Sequence, residues 1–381
     1  MRKEQLIGNI DKPLLFSYIF FIIAGLLNIY AVSYDETVNI NFDLSTLFEK
    51  QLLWVSISLF VGILILFTDP KLFNAFAYVI YGIIIVVLIA VIFIGKTVSG
   101  AKSWIVIGNF ALQPVEFAKF ASSLALARFL SKTDISFQNI KIRCITFFIT
   151  FIPAILVLLQ NDTGSAIVFL SFFFVFYREG LSKVIFIIAV ALITLFLLTL
   201  YINKYILIAI MLSIMLIIIY KVRRLKKDIA KIILIFLLSS LFVFSVDFIY
   251  YKILKPHQRQ RIDVLIGREI DPKKAGYNII QSKIAIGSGG LLGKGYLQGT
   301  QTKYNFVPEQ KTDFIFCTIG EEWGFIGTLT ILCLFLYFIK RIITLSEKHR
   351  SKFSRIYGYS IASLLFFHVF VNIGMTLGIL P

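Results

Sequence analysis

Long apolar runs alternate with short polar breaks along almost the whole chain. Eleven such runs fall near residues 14–33, 51–68, 72–95, 114–131, 142–160, 164–177, 182–202, 205–221, 231–250, 314–339 and 356–379. At about 1.5 Å of helix per residue, each approaches or exceeds the roughly 30 Å hydrocarbon layer of a bilayer. The pattern predicts an all-α polytopic membrane protein of about eleven spans, a single integral membrane domain over residues 1–381. The run 164–177 is short and follows Asn161-Asp162-Thr163-Gly164-Ser165. A broken or partly re-entrant helix is predicted there. Two connections are long, 96–113 and 251–312, and long connections in compact proteins tend to carry function.

Composition agrees with the pattern. Hydrophobic residues make up 58% of the chain, and the mean hydropathy of +0.87 excludes an ordinary soluble domain. The 39 Phe and 17 Tyr suit lipid-facing and interfacial surfaces. A net charge of +17 would ordinarily raise nucleic acid as a partner. Here the charge sits in short loops between apolar runs, so topology control explains it and no nucleic acid is expected. With eleven spans and a cytoplasmic N-terminus, MRKEQ (1–5), KVRRLKK (221–227) and KRIITLSEKHRSKFSR (340–355) all fall on the cytoplasmic side. The acidic loop after the first span then falls outside. Residues 1–12 are polar and the first apolar run is too long for a cleaved leader, so that run is expected to act as a signal anchor. Cys144, Cys317 and Cys333 lie in or at the ends of apolar runs and read as small packing residues.

Several charges stand where lipid should be, and such residues are costly to keep. Glu116 and Lys119 are three residues apart, so they share one helix face. They form either a structural ion pair or part of a substrate surface. Arg128, at the other end of that run, can snorkel. Asp162 either caps the following helix or lines a cavity. Asp313 stands at the head of the tenth run, behind Thr312, where a cap is the simplest role. Glu321 and Glu322 further along the same run, together with the basic loop before it, leave general-base chemistry open as the alternative. That loop, 251–312, holds eleven basic and four acidic side chains. This excess suits an anionic substrate such as a phosphate-bearing lipid, or simply anionic headgroups nearby. The glycines at 287, 289, 290, 293, 295 and 299 permit tight turns, but the stretch lacks the setting of a nucleotide-binding loop.

Five blocks carry a resemblance. SGAKSWIVIGNFALQPVEFAKF (99–120), QNDTGSA (160–166), GYNIIQSKIAIGSGGLLGKGYLQGTQ (276–301), PEQKTDFIF with GEEWGFIG (308–316 and 320–327), and VNIGMTLGILP (371–381) resemble the SEDS family of cell-wall polymerases, its elongation branch more than its division branch. The resemblance implies a peptidoglycan glycosyltransferase of the bacterial cytoplasmic membrane. It would join lipid II units through β-1,4 bonds at the outer face, with a class B penicillin-binding protein and the elongation machinery as partners. Carried onto this chain, the family's essential acid is Asp313, as base or orienter of the acceptor hydroxyl. Glu116, Lys119, Trp104, Gln113, Asp162, Lys294 and Glu309 match further family positions and are expected to line the substrate cavity. The leaving diphosphate would be stabilised by basic side chains or by a divalent cation, Mg or Mn.

Three departures qualify the match. The family usually has Arg before Trp near residue 100; here Ser103 stands there, with Lys102 as the candidate substitute. The stretch between Asp162 and Asp313 is longer than in a typical ten-helix member, which is attributed to two added spans near 205–250. The chain stops at Pro381 inside the family's last block, so a C-terminal segment is expected to be missing. Two other functions compete: a lipid II flippase, and a non-catalytic scaffold that activates a penicillin-binding protein.

Overall fold

The computed structural model describes residues 10–34, 46–98, 100–108, 110–132, 137, 139–222, 226–254, 259, 263, 275–304 and 306–379. Part of the basic loop, including Lys255, Arg261, Arg268, Lys273 and Lys274, lies outside the described residues. The chain divides into two compact units, Met1–Leu181 with Gln281–Leu377, and Ser182–Ile280 with Gly378–Pro381.

All eleven predicted spans are helical. In chain order they are α1 (Lys12–Ser33), α2 (Leu47–Leu66), α3 (Pro70–Ile94), α4 (Pro114–Leu130), α5 (Ile140–Leu159), the pair α6 (Thr163–Val168) and α7 (Phe172–Arg178), α8 (Lys183–Tyr201), α9 (Lys204–Val222) and α10 (Lys226–Phe248). After them come two shorter helices, α11 (Ala275–Ser288) and α12 (Thr300–Lys303), and the last two spans, α13 (Ile315–Lys348) and α14 (Lys352–Thr376). Among the described residues, nine helices are long and apolar enough to cross a membrane. The other two predicted spans are α4 and the α6–α7 pair. The break expected in the latter is a 3-10 turn at Phe169–Ser171.

Local chemistry sets where these helices begin. Asp11 accepts from Leu14 N at 3.0 Å ahead of α1, and Asp69 accepts from Lys71 N at 2.9 Å ahead of α3. Both are followed by proline in the first turn, where a missing N–H costs nothing. Thr46 and Glu49 form a reciprocal capping box at the start of α2.

Within the first unit α4 is the central helix. It packs against α3, α5 and α14. Ala118, Ala121, Ser122, Ser123, Ala125 and Ala127 are buried on it, and small side chains let neighbouring backbones approach closely. That is also why α4 is only modestly apolar: little of it meets lipid. By contrast α2 and α3 expose Phe60, Leu64, Phe76 and Val86, as lipid-facing helices do.

One end of this unit gathers charge. Arg341 near the end of α13 pairs with Asp11 at 2.6 Å, Arg178 at the end of α7 pairs with Glu347, and Arg128 at the end of α4 donates to Asn74 at 2.8 Å. The opposite end carries the connection 96–113, which is a three-stranded antiparallel meander: β1 (Lys96–Val98), β2 (Ala101–Ile107) and β3 (Phe110–Leu112). Otherwise the helical reading stands.

The second unit contains α8, α9 and α10, which pack on one another, and the two helices read as additional are α9 and α10. Asp247 on α10 pairs with Lys204 of α9 at 2.8 Å.

Candidate active site

The Gly-rich segment is not a phosphate cradle. It begins as helix, α11, and then clamps a break in α13. Gly324 has φ 62° and ψ −160°, which interrupts the helix and frees backbone groups on either side. The loop takes them up. Lys294 N donates to Glu321 O and Gly295 N to Glu322 O, both at 3.0 Å, while Phe325 N and Ile326 N donate to Gly290 O and Leu291 O at 2.9 and 3.1 Å. Such close approach excludes a side chain. A Cβ on Gly293, whose φ is +81°, would stand 2.1 Å from Glu322 O.

Glu321 completes the clamp and is fully buried. Its carboxylate accepts from Gln301 N at 2.8 Å, Thr302 N at 2.9 Å and the Lys294 ammonium at 2.7 Å. Lys294, expected at the substrate, is therefore placed on Glu321 and Thr300. The acids beyond Asp313 that the sequence counted toward chemistry are thus accounted for differently: Glu321 fastens the loop, and Glu322 is buried beside it.

Asp313 is exposed in the turn that leads into α13. The helix starts at Ile315 with Phe314 as N-cap, so Asp313 stands one residue ahead of the cap position. The turn is closed by Glu309, whose carbonyl accepts from Thr312 N at 3.2 Å and Phe314 N at 3.1 Å. The Glu309 carboxylate also accepts from Thr312 Oγ1 at 3.3 Å. Asn372 of α14 donates to the Asp313 carbonyl oxygen at 3.0 Å and fixes the turn from outside.

On α4 the predicted pair forms. Lys119 Nζ lies 2.7 Å from Glu116, with the lysine side chain 5% and the glutamate 53% exposed. A third partner escaped the sequence reading: His368 Nε2 of α14 stands 2.7 Å from the same ammonium. Its only sequence signal is that it is an ionisable residue inside an apolar run. Beside this pair, Gln113 at the head of α4 donates to Asp162 Oδ2 at 3.0 Å. Asp162 caps α6 through Ser165 N at 3.0 Å, which realises the capping alternative. Asp162 also lies within electrostatic reach of Lys119. Trp104 and Lys102 lie on β2, which Lys102 N ties to Gln160 O at 2.9 Å, next to the Asp162 turn. The Lys102 ammonium is directed at Phe93 O, 2.8 Å away, at the end of α3. In this arrangement it serves the fold rather than taking the place of the family's arginine.

Thus α14 links the two halves of the site. His368 and Asn372 are four residues apart on one face, about 6 Å along the axis, one reaching Lys119 and the other the Asp313 turn. Among the described residues, no three His, Cys, Asp or Glu side chains converge as a cation cage.

Fold and site together define a multi-pass helical membrane protein with a polar, carboxylate-bearing site at one end of its bundle. The chain belongs to the FtsW/RodA/SpoVE family of cell cycle proteins, whose profile matches residues 12–213 and 205–381. It is 33% identical over 334 residues to the peptidoglycan glycosyltransferase MrdB of Escherichia coli K12, covering 87% of this chain and 77% of that one. Identity to the peptidoglycan glycosyltransferase RodA of Treponema pallidum is 32% over 403 aligned positions, with coverages of 98% and 91%. Two solved structures share the fold. One is a chain of a peptidoglycan synthase complex that coordinates polymerization and crosslinking (TM-score 0.67, 23% identity, 98% of this chain and 89% of that one). The other is the rod shape determining protein RodA of Thermus thermophilus (TM-score 0.60, 21% identity, 98% and 87%). The resemblance drawn from the sequence blocks is borne out.

Proposed function

We propose that this protein is a peptidoglycan glycosyltransferase that polymerises lipid II at the outer face of the bacterial cytoplasmic membrane. Its family and the names of its relatives support the activity. The observation that carries the site is Asp313: an exposed carboxylate one residue ahead of the N-cap of α13, in a turn closed by Glu309 and bonded by Asn372. A carboxylate so placed can act as base for an incoming hydroxyl.

In the step proposed, the acceptor sugar hydroxyl attacks the anomeric carbon of the donor. The new C–O bond forms as the bond from that carbon to the diphosphate oxygen breaks. Asp313 takes the hydroxyl proton, and undecaprenyl diphosphate leaves as an anion. Because a diphosphate is a stable leaving group, no second carboxylic acid is required. Lys119 and basic residues between 281 and 312 supply positive charge for the diphosphate. Asp162 and Gln113 brace the head of α4 around that lysine. Lys102, Trp104, Lys294 and Glu309 shape the surrounding backbone. The partner in this reading is a class B penicillin-binding protein within the elongation machinery.

The N-terminus is cytoplasmic in this reading. Asp11, Arg341, Arg178 and Glu347 meet at one end of the bundle, as the even number of spans between them requires. The direct test is glycan synthesis from purified lipid II by the protein co-purified with its class B partner. Asp313→Asn is expected to abolish polymer at unchanged melting temperature and partner binding. Full activity in that variant would remove Asp313 from the mechanism, and normal activation of the partner without any polymer by the wild type would favour the scaffold reading.

A further inference from the structure

The ammonium of Lys119 is held by two groups of opposite character. Glu116 is an anion on the same helix; His368 comes from α14 and is neutral by necessity. A lysine ammonium only donates, so the Nε2 atom 2.7 Å away must accept, which leaves the imidazole proton on Nδ1. Lys119 is buried while Glu116 and His368 are both exposed, so the lysine lies beneath the two groups that orient it. With Glu116 alone, the ammonium could swing along its own helix; with His368 added, its direction is fixed across the α4–α14 interface. The charged groups acting on the imidazole are Lys119 and Glu116 of α4. The other elements packed on α14, namely α6, the 3-10 turn, α7 and α13, contribute none among the described residues.

We propose that His368 is a positioning residue for glycan polymerisation: its neutral imidazole aims the Lys119 ammonium, on the same face of α14 whose Asn372 holds the Asp313 turn. This rests on the polymerase reading above. Protonation of His368 replaces an acceptor by a second cation beside Lys119, so the arrangement holds only while the imidazole is neutral. Activity should therefore fall toward acid for a reason separate from Asp313.

The test compares wild type, His368→Gln and His368→Leu, each co-purified with the class B partner, in lipid II polymerisation from mildly acidic to mildly alkaline pH. Glutamine keeps an acceptor that does not titrate; leucine keeps only bulk. His368→Leu should lose roughly 10- to 100-fold in kcat, the worth of one charge-assisted hydrogen bond, with KM little changed. His368→Gln should retain most of the rate and lose the part of the acid decline that the imidazole contributes. The decline due to Asp313 is common to both proteins, so the difference between their profiles isolates His368. Melting curves of the same proteins read the Lys119–His368 bond itself. The wild type's stability advantage over His368→Leu should shrink as pH falls, while that of His368→Gln should not. Superimposable pH profiles of wild type and His368→Gln would overturn the inference, as would full activity of His368→Leu or equal loss in both variants. Absence of polymer from the wild type would instead overturn the polymerase reading, and this inference with it.

Discussion

Residue by residue, the site separates into charges used by the fold and charges left for chemistry. Glu321 belongs to the first group: it is buried and satisfied by two backbone N–H groups and one ammonium. Removing one partner of such a pair strands the other, at a cost of about 3 kcal/mol before allowing for solvent at Lys294. Glu321→Ala should therefore lower the melting temperature in detergent markedly, because it also strands the N–H groups of Gln301 and Thr302, and Lys294→Met should lower it too, because it leaves a fully buried carboxylate without its cation. Equal melting of Glu321→Ala and wild type would show that the loop is held without it. At this scale the sequence was legible where partners lie close in the chain. The pair Glu116–Lys119 follows from a spacing of three on one helix. His368 does not, because its partner is 249 residues away and only the packing of α14 on α4 brings them together. The start of α13 lies beyond Asp313 for a related reason. Thr312 and Asp313 look like a helix start, yet Glu309 folds the chain back into a turn first, and the helix begins two residues later.

Among the elements, the apolar runs were the easiest to see and the break in α13 the hardest. Nine of the eleven runs stand out plainly because length and lipid exposure leave a trace in composition, whereas α4 and the α6–α7 pair are shorter or less apolar. Hydropathy cannot show that a 34-residue helix, roughly 50 Å long, is interrupted at Gly324 and repaired by a loop some thirty residues upstream. The glycines signalled close approach, and the structure supplies the object approached: the α13 backbone rather than a phosphate. Gly293 tests this. An alanine there must adopt φ near +81° and place its Cβ against Glu322 O. Strain of this kind costs about 1–3 kcal/mol even before the clash. Gly293→Ala should lower the melting temperature clearly, whereas Gly287→Ala, in α11 with open space around its Cβ position, should be neutral or slightly stabilising. Similar losses in the two variants would mean that the loop does not depend on close approach to α13. The meander β1–β3 was likewise invisible to hydropathy, since seven residues of β2 read as part of a long polar–apolar connection.

For the molecule as a whole, the contacts at the ends of the bundle show which segments share a side, and this hangs on parity. Asp11 precedes the first span and Arg341 follows the body of the tenth, yet they bond at 2.6 Å. The Arg341 hydrogen bond holds the Asp11 carboxyl below its ordinary value of 3.8. A lowered acid stabilises the fold above its unfolded value and loses that contribution as pH falls through the folded value. The melting-temperature difference between wild type and Asp11→Asn should thus be present at neutral pH and close progressively below pH 3.8. A difference independent of pH would mean that the pair is not made. The same contact makes a topological prediction. Once Cys144, Cys317 and Cys333 are replaced, a cysteine at Lys311, beside Asp313, should react with a membrane-impermeant thiol reagent applied to intact spheroplasts. A cysteine at Arg350, between α13 and α14, should react only after the membrane is opened. Reversal of the two would put Asp313 on the cytoplasmic side, where a polymerase of exported lipid-linked sugars would meet no acceptor strand. Labelling of both from outside would mean that α13 does not cross, and the parity that joins Asp11 to Arg341 would need another explanation.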